Sequence, residues 1–240
     1  MMKTIASLTL LGILILSSCV KKTDQVADNT LTDAEKQEGW QLLFDGTTLS
    51  GWRGFNQKDV PVNWTVEDGC LKGTIGDYIV YGQEEFKNFE LTVQWKLTKG
   101  ANSGIFYHVQ EGAQYSAPYE NGPEYQVIDD LGWPEPLQPW QTVGADYAMY
   151  PPDSSKPVKP AGEWNVSRIR FTPEKAEYWL NGVLTASFAP WSDDWNARRV
   201  AGKWKDYPEY GKATTGLIGF QNESGVVLYK NIKIRNLSGD

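Results

Sequence analysis

Histidine occurs once in this chain, at His108, and cysteine twice, at Cys19 and Cys70. Clusters of the ligands that hold zinc, haem or iron–sulfur centres are therefore excluded. An Asp-x-Asp-x-Asp-Gly calcium loop is absent, as is a glycine-rich phosphate loop opening a helix. No cofactor is written into the sequence, so any oxidation of a substrate falls to a separate enzyme. Basic residues are also scarce: 23 Lys and Arg stand against 30 Asp and Glu, a net charge of −7 without a basic stripe. That balance excludes a nucleic-acid partner. Long apolar runs are missing too, because the one run present, from Ile5 to Ile15, is shorter than the ~20 residues that span a bilayer.

That short run follows Lys3 and ends in Leu16-Ser17-Ser18-Cys19. A charged start, an apolar core, small residues and then cysteine resemble a bacterial lipoprotein signal. Residues 1–18 are then expected to be removed and Cys19 lipidated. Contact with the membrane would run through the lipid alone. Val20, rather than aspartate, follows the cysteine and points to the outer membrane of the cell envelope. Lipidation of Cys19 leaves Cys70 without a partner, so no disulfide forms and the fold rests on its core. Residues 20–38 lack an apolar period and read as a flexible tether, with one or two helical turns over residues 31–37. Residues 39–238 suffice for one sizeable domain.

From Trp40 onward the dominant period is two. In residues 88–97, Phe89, Leu91, Val93, Trp95 and Leu97 alternate with Glu90, Thr92, Gln94 and Lys96, which predicts a strand with one buried and one wet face. Similar patterns predict strands at 40–45, 64–67, 70–74, 78–81, 104–110, 124–129, 165–172, 176–180, 183–188, 217–221 and 227–235. Asp68-Gly69 and Asn181-Gly182 supply the two positive-φ residues of type I′ hairpin turns. No segment longer than ten residues keeps a helical period. The expectation is an all-β fold, two antiparallel sheets packed as a sandwich. Irregular stretches at 112–123, 130–160 and 190–215 are rich in Trp, Tyr, Pro and Gly, and loops of that length usually carry function. The 11 Trp and 12 Tyr suit stacking on sugar rings as well as a core.

Three segments carry candidate chemistry. In Asn102-Ser103-Gly104-Ile105-Phe106-Tyr107-His108 a regular strand puts Gly104, Phe106 and His108 on one face, with the glycine leaving room for a ligand. In Glu124-Tyr125-Gln126-Val127-Ile128-Asp129, Glu124 and Gln126 point one way and Asp129 the other, so Glu124 and Asp129 make a poor carboxylate pair. A conventional glycosidase needs two carboxyls flanking one bond, and the Glu-x-Asp-x-x-Glu strand of laminarinase-like sandwiches is missing. In the third segment, Gln221 and Glu223 share a face of a strand that runs into a polar turn.

These residues carry a resemblance. Gly39-Trp40-Gln41-Leu42-Leu43-Phe44-Asp45-Gly46 with Leu49-Ser50-Gly51-Trp52, then Trp64-Thr65-Val66-Glu67-Asp68-Gly69, Asn102-Ser103-Gly104-Ile105-Phe106, Glu124-Tyr125-Gln126-Val127-Ile128-Asp129, Gly162-Glu163-Trp164-Asn165, Trp179-Leu180-Asn181-Gly182 and Lys230-Asn231-Ile232-Lys233-Ile234 are similar, in order, to the 3-keto-disaccharide hydrolase domain family. The resemblance implies a concanavalin A-like lectin/glucanase jelly roll that binds carbohydrate. It further implies cleavage of glycosides already oxidised at C3, where the ketone acidifies the C2 hydrogen and one base suffices for β-elimination, with water adding back. On that reading Glu124 or His108 is base or acid. Asn102, Gln126 and Gln221 would hold hydroxyls or the ketone, and Trp133, Trp140, Tyr147 and Lys159 would wall the pocket. Many relatives read Gln-Asp-His-Gly before the last strand, whereas this chain reads Gln221-Asn222-Glu223-Ser224, which leaves Glu223 to replace the missing acid and imidazole. The altered turn also suits a non-catalytic lectin-like module. A purely structural cell-surface domain is a third reading. The fold type leaves room for a calcium ion held by loop carbonyls.

Overall fold

The computed structural model describes residues 26–238. The signal segment, Cys19 and the start of the tether lie outside the described residues. The described chain forms β1 (Gln41–Leu42), β2 (Trp52–Gly54), β3 (Trp64–Glu67), β4 (Cys70–Gly73), β5 (Ile79–Tyr81), β6 (Phe89–Leu97) and β7 (Asn102–Val109). It continues with β8 (Glu124–Ile128), β9 (Asn165–Phe171), β10 (Ala176–Leu180), β11 (Val183–Phe188), β12 (Leu217–Ser224) and β13 (Val227–Asn236). Seven strands line up as β11-β10-β9-β6-β13-β4-β3, with β1 joining β13, and five form a second sheet, β2-β5-β12-β7-β8. All pairs in both are antiparallel. This is the two-sheet sandwich that the alternating pattern predicts.

The pattern sets the faces directly. Phe89, Leu91, Val93, Trp95 and Leu97 are each at most 3% exposed and meet the inward residues of the smaller sheet. Phe89 stacks on Phe171 with ring centres 6.0 Å apart, Phe220 stacks on Tyr229 at 4.4 Å, and Trp95 donates to Ser167 Oγ at 2.8 Å. Each large side chain buried this way stabilises the fold by roughly 1.5–3 kcal/mol. The hairpins form at the expected turns: Asp68 and Gly69 have φ of 48° and 73°, Asn181 and Gly182 of 49° and 84°.

Three expectations are corrected. His108 does not share a face with Gly104. Val109 pairs with Leu217 and Phe106 with Gly219, so β7 carries one residue more than β12 over that interval. This bulge falls at His108, whose φ is 53°, and Gly216 lies against the His108 backbone with no room for a side chain. The ring turns into the core, edge-on to Phe171 at 4.6 Å, with Nε2 2.9 Å from the Lys87 carbonyl. Next, residues 28–38 are not a free tether. Asn29 is 8% exposed. It exchanges hydrogen bonds with Asn231, backbone amide to side-chain oxygen in each direction, at 2.6 and 2.8 Å. The expected helical turn is α1 (Asp33–Gln37), closed by a capping box between Thr32 and Glu35. Finally, the 190–215 stretch contains α2 (Asp193–Ala201), capped by Ser192 and burying only Trp195. One buried position in nine residues leaves no period to read.

Burial holds the His108 imidazole down to about 4, against the pull of the Lys87 and Ala213 carbonyls. Above the unfolded value of 6.5 the ring is neutral in both states and adds no pH dependence. Below it only the unfolded chain binds the proton, so stability falls until the pH reaches about 4. The expected loss is roughly 3 kcal/mol between pH 6.5 and 4. Urea unfolding of the native chain and of His108→Gln across that window checks it, because the variant lacks this slope.

Candidate active site

The outward faces of β7, β8 and β12 build the site. Gly104 pairs with Gln221 on one side and Gln126 on the other, so two amide side chains flank a residue that has none. The Glu124 side chain fills the space above Gly104; a methyl group there would overlap Glu124 Oε1 and press on Gln221 Nε2. Gln221 Nε2 donates to Glu124 Oε1 at 2.5 Å. Asn102 Nδ2 donates to Glu223 Oε2 at 2.7 Å. Both amides turn their nitrogen toward a carboxyl oxygen.

Strand β8 is buried along its whole length because the three irregular stretches cover its outer face. Glu124 is 4% exposed, not a surface residue on a wet face. Tyr147 donates its backbone N–H to the Glu124 carbonyl at 3.0 Å, and its ring meets Trp140 edge-on at 5.5 Å. Tyr119 enters from the 112–123 stretch and meets Tyr207 edge-on at 5.7 Å. Lys203, on the segment after α2, places its ammonium 4.4 Å from the Tyr147 ring centre and 4.7 Å from that of Trp204. Trp204 Nε1 donates to the Tyr147 carbonyl at 3.1 Å, which ties the segment to the rest of the wall. Together these groups enclose a cavity of about 210 Å³, whose lining also takes in Gln126 and Glu223.

Charge is poised here. Burial, and then the negative charge of Glu223, pushes the Glu124 carboxyl well above its ordinary range, against Lys203 and the Gln221 amide. Desolvation lowers the Lys203 ammonium, with Glu124 and Glu223 opposing. Behind the cavity, on the core side of the sheet, Asp146 is fully buried with neither carboxyl oxygen hydrogen-bonded. Burial pushes its carboxyl well above the ordinary range.

Of the residues singled out from sequence, Asn102, Glu124, Gln126, Tyr147, Gln221 and Glu223 line one cavity. Trp140 supports Tyr147 from behind. Trp133 packs half-buried against the core. Lys159 donates to the Trp164 carbonyl at 3.0 Å, at the start of β9 in the other sheet. His108 is in the core. Lys203, Tyr119 and Tyr207 were not legible, because they come from loops whose course no periodicity describes. Glu223, from β12, brings a second carboxyl into the cavity beside Glu124 of β8. Among the described residues no group of three His, Cys, Asp or Glu side chains is placed to hold a metal ion.

The sequence model of the 3-keto-alpha-glucoside-1,2-lyase-like domain matches residues 39–235. The chain belongs to this family. A 3-keto-disaccharide hydrolase of Bacteroides thetaiotaomicron is 32% identical over 231 residues, covering 83% of this chain and 79% of its relative. A Parabacteroides distasonis crystal structure described as a candidate glycosyl hydrolase superposes with a TM-score of 0.84 at 45% identity, over 88% of this chain and all of the other. A second such structure from that organism has a TM-score of 0.65 at 27% identity, over 82% of this chain and 99% of its own. Membership in the 3-keto-alpha-glucoside-1,2-lyase-like family, with a hydrolase relative at this identity, supports the enzyme reading.

Gly104 is the residue that makes room for the Glu124 carboxyl. Gly104→Ala is expected to push Glu124 out of line, costing about 10²-fold in turnover and roughly 1–3 kcal/mol in stability. Turnover assays and urea unfolding of the variant measure the two effects separately.

Proposed function

We propose that the protein cleaves 3-keto-glycosides by elimination across C1 and C2 of the oxidised sugar, followed by addition of water. One observation carries the reading: a buried carboxylate with a raised pKa shares a small polar cavity with an ammonium group. Glu124 takes the C2 proton, and the electron pair forms an enolate whose oxygen meets the Lys203 ammonium or the Gln126 amide. Collapse of the enolate forms the C1–C2 double bond and expels the C1 substituent, which takes a proton from a water beside Glu223. The hydroxide so formed adds at C1 while Glu124 returns its proton to C2, so the net reaction is hydrolysis. The cavity, about 210 Å³, is below the ~300–1,000 Å³ of drug-sized sites and suits one sugar ring. The lipoprotein-like segment at Leu16-Ser17-Ser18-Cys19 supports a place in the cell envelope, anchored by lipid, outer membrane first.

A second reading has an observation of its own. Glu124 and Glu223 line one cavity, and ordinary glycoside hydrolysis uses two carboxyl groups. Residues 20–240 incubated with a glucoside bearing a chromogenic leaving group, and with its 3-keto counterpart, separate the two. Release from the keto sugar alone supports elimination. Release from the plain glucoside establishes the carboxylate-pair mechanism, and release from neither overturns both.

A further inference from the structure

The cavity and the docked N-terminal segment lie on opposite outer faces of the sandwich. Gly104, Glu124, Gln126 and Gln221 alternate with Ile105, Tyr125, Val127 and Phe220, which fill the core between the sheets; the cavity is thus on the outside of the smaller sheet. Residues 26–28 border Thr92, Gln94 and Val166, which alternate with core residues of β6 and β9 and so belong to the outside of the larger sheet. The segment is held there firmly. Besides the reciprocal Asn29–Asn231 bonds, Asn29 Nδ2 donates to the Gly69 carbonyl at 2.8 Å. Lys230 pairs with Asp28 at 2.7 Å, Lys233 with Glu35 at 2.6 Å and Arg235 with Glu38 at 3.0 Å, all along β13.

We propose that this clasp turns the outer face of the larger sheet toward the phospholipid headgroups and holds the cavity open to the side away from the membrane. The inference rests on the lipid anchor proposed above. From Cys19 to Asp28 the chain makes nine steps and reaches at most about 30 Å. A domain of this size is about 40 Å across, so a chain leaving one face is too short to pass around the molecule and bring the opposite face to the bilayer. Without the clasp, the attachment point would retreat toward Gln41 and the longer tether would let the domain tumble. The face itself suits headgroups. The Trp164 ring has Lys96 at 5.0 Å and Lys230 at 4.4 Å, Arg168 covers Trp179 at 4.2 Å, and Arg235 covers Trp40 at 4.9 Å. Trp set among Lys and Arg is the composition that settles at the membrane–water boundary. For a sugar-cleaving site, this orientation admits substrate from the compartment rather than from the lipid surface.

The test uses the full lipidated chain in phosphatidylcholine vesicles containing a nitroxide-headgroup lipid. Cys70, buried, is replaced by alanine, and a fluorophore is attached at Thr65→Cys or at Glu209→Cys. Thr65 is exposed and pairs with Lys72 on the outer face of the larger sheet. Glu209 is exposed two residues from cavity-lining Tyr207. The expected result is quenching at Thr65→Cys at least twice that at Glu209→Cys, with the difference lost on adding Asn29→Ala. Equal quenching at both positions, or stronger quenching at Glu209→Cys, overturns the orientation while leaving the anchor intact. A protein that does not float with the vesicles removes the anchor and the orientation with it, and leaves the catalytic reading untouched.

Discussion

Glu124→Gln lowers kcat by about 10³-fold or more, while the Kd for a 3-keto sugar changes less than about fivefold. The amide is the same size and still fits above Gly104, and its own carbonyl accepts from Gln221 Nε2 as the carboxylate does at 2.5 Å. What it lacks is a basic carboxylate oxygen to take the proton from C2. Binding and turnover therefore separate, and calorimetric titration alongside stopped-assay kinetics reads the two. A variant that keeps a tenth of the activity would return Glu124 to a structural role beneath the pocket. The pH profile of the native enzyme carries the same signature. Because Glu124 is held well above its ordinary range, the rate rises with pH as the carboxyl ionises, at a pH higher than a free glutamate would give.

Lys203→Met has the second largest effect, an expected loss of about 10²–10³ in kcat, the scale of removing one donor from a developing oxyanion. The methionine fills the space against Tyr147 and Trp204, so packing is largely kept and the ammonium alone is lost. Lys203 also lowers the pKa of Glu124, against burial and Glu223. Removing it raises that pKa further, and the acid limb of the pH–rate profile moves to higher pH. A purely structural Lys203 would shift stability without moving this limb. Loss of less than threefold in kcat with an unmoved limb would exclude it from the chemistry.

Much of this architecture is legible in the sequence, because a strand's side chains alternate by geometry and a sheet with one dry face must show that alternation. Phe89 through Leu97 announce both the strand and its buried side, and Asp68-Gly69 and Asn181-Gly182 fix two turns by their tolerance of positive φ. The site is only partly legible. Asn102, Glu124, Gln126, Gln221 and Glu223 stand out as polar residues on strands near glycine, and their parity places them outward. His108 defeats the same reasoning, since one extra residue in β7 reverses its face, and nothing in Tyr107-His108-Val109 marks the bulge. Its cause is the partner strand, where Gly216 makes room.

What the sequence by itself determines here is local: the period of two, the turn chemistry, the scarcity of His and Cys and the short apolar run before Cys19. The tertiary structure decides which separate pieces meet. Lys203 enters the cavity that holds Glu124 only because the Trp204 indole is tied to the Tyr147 carbonyl and Tyr147 to the backbone of Glu124. Glu223 becomes the neighbour of Glu124 only because β12 and β8 flank the same strand. The polar segment before the domain is docked only because Asn231 is there to receive Asn29. Each of these contacts joins residues far apart in the chain, and no period or spacing encodes a distance that is closed by packing.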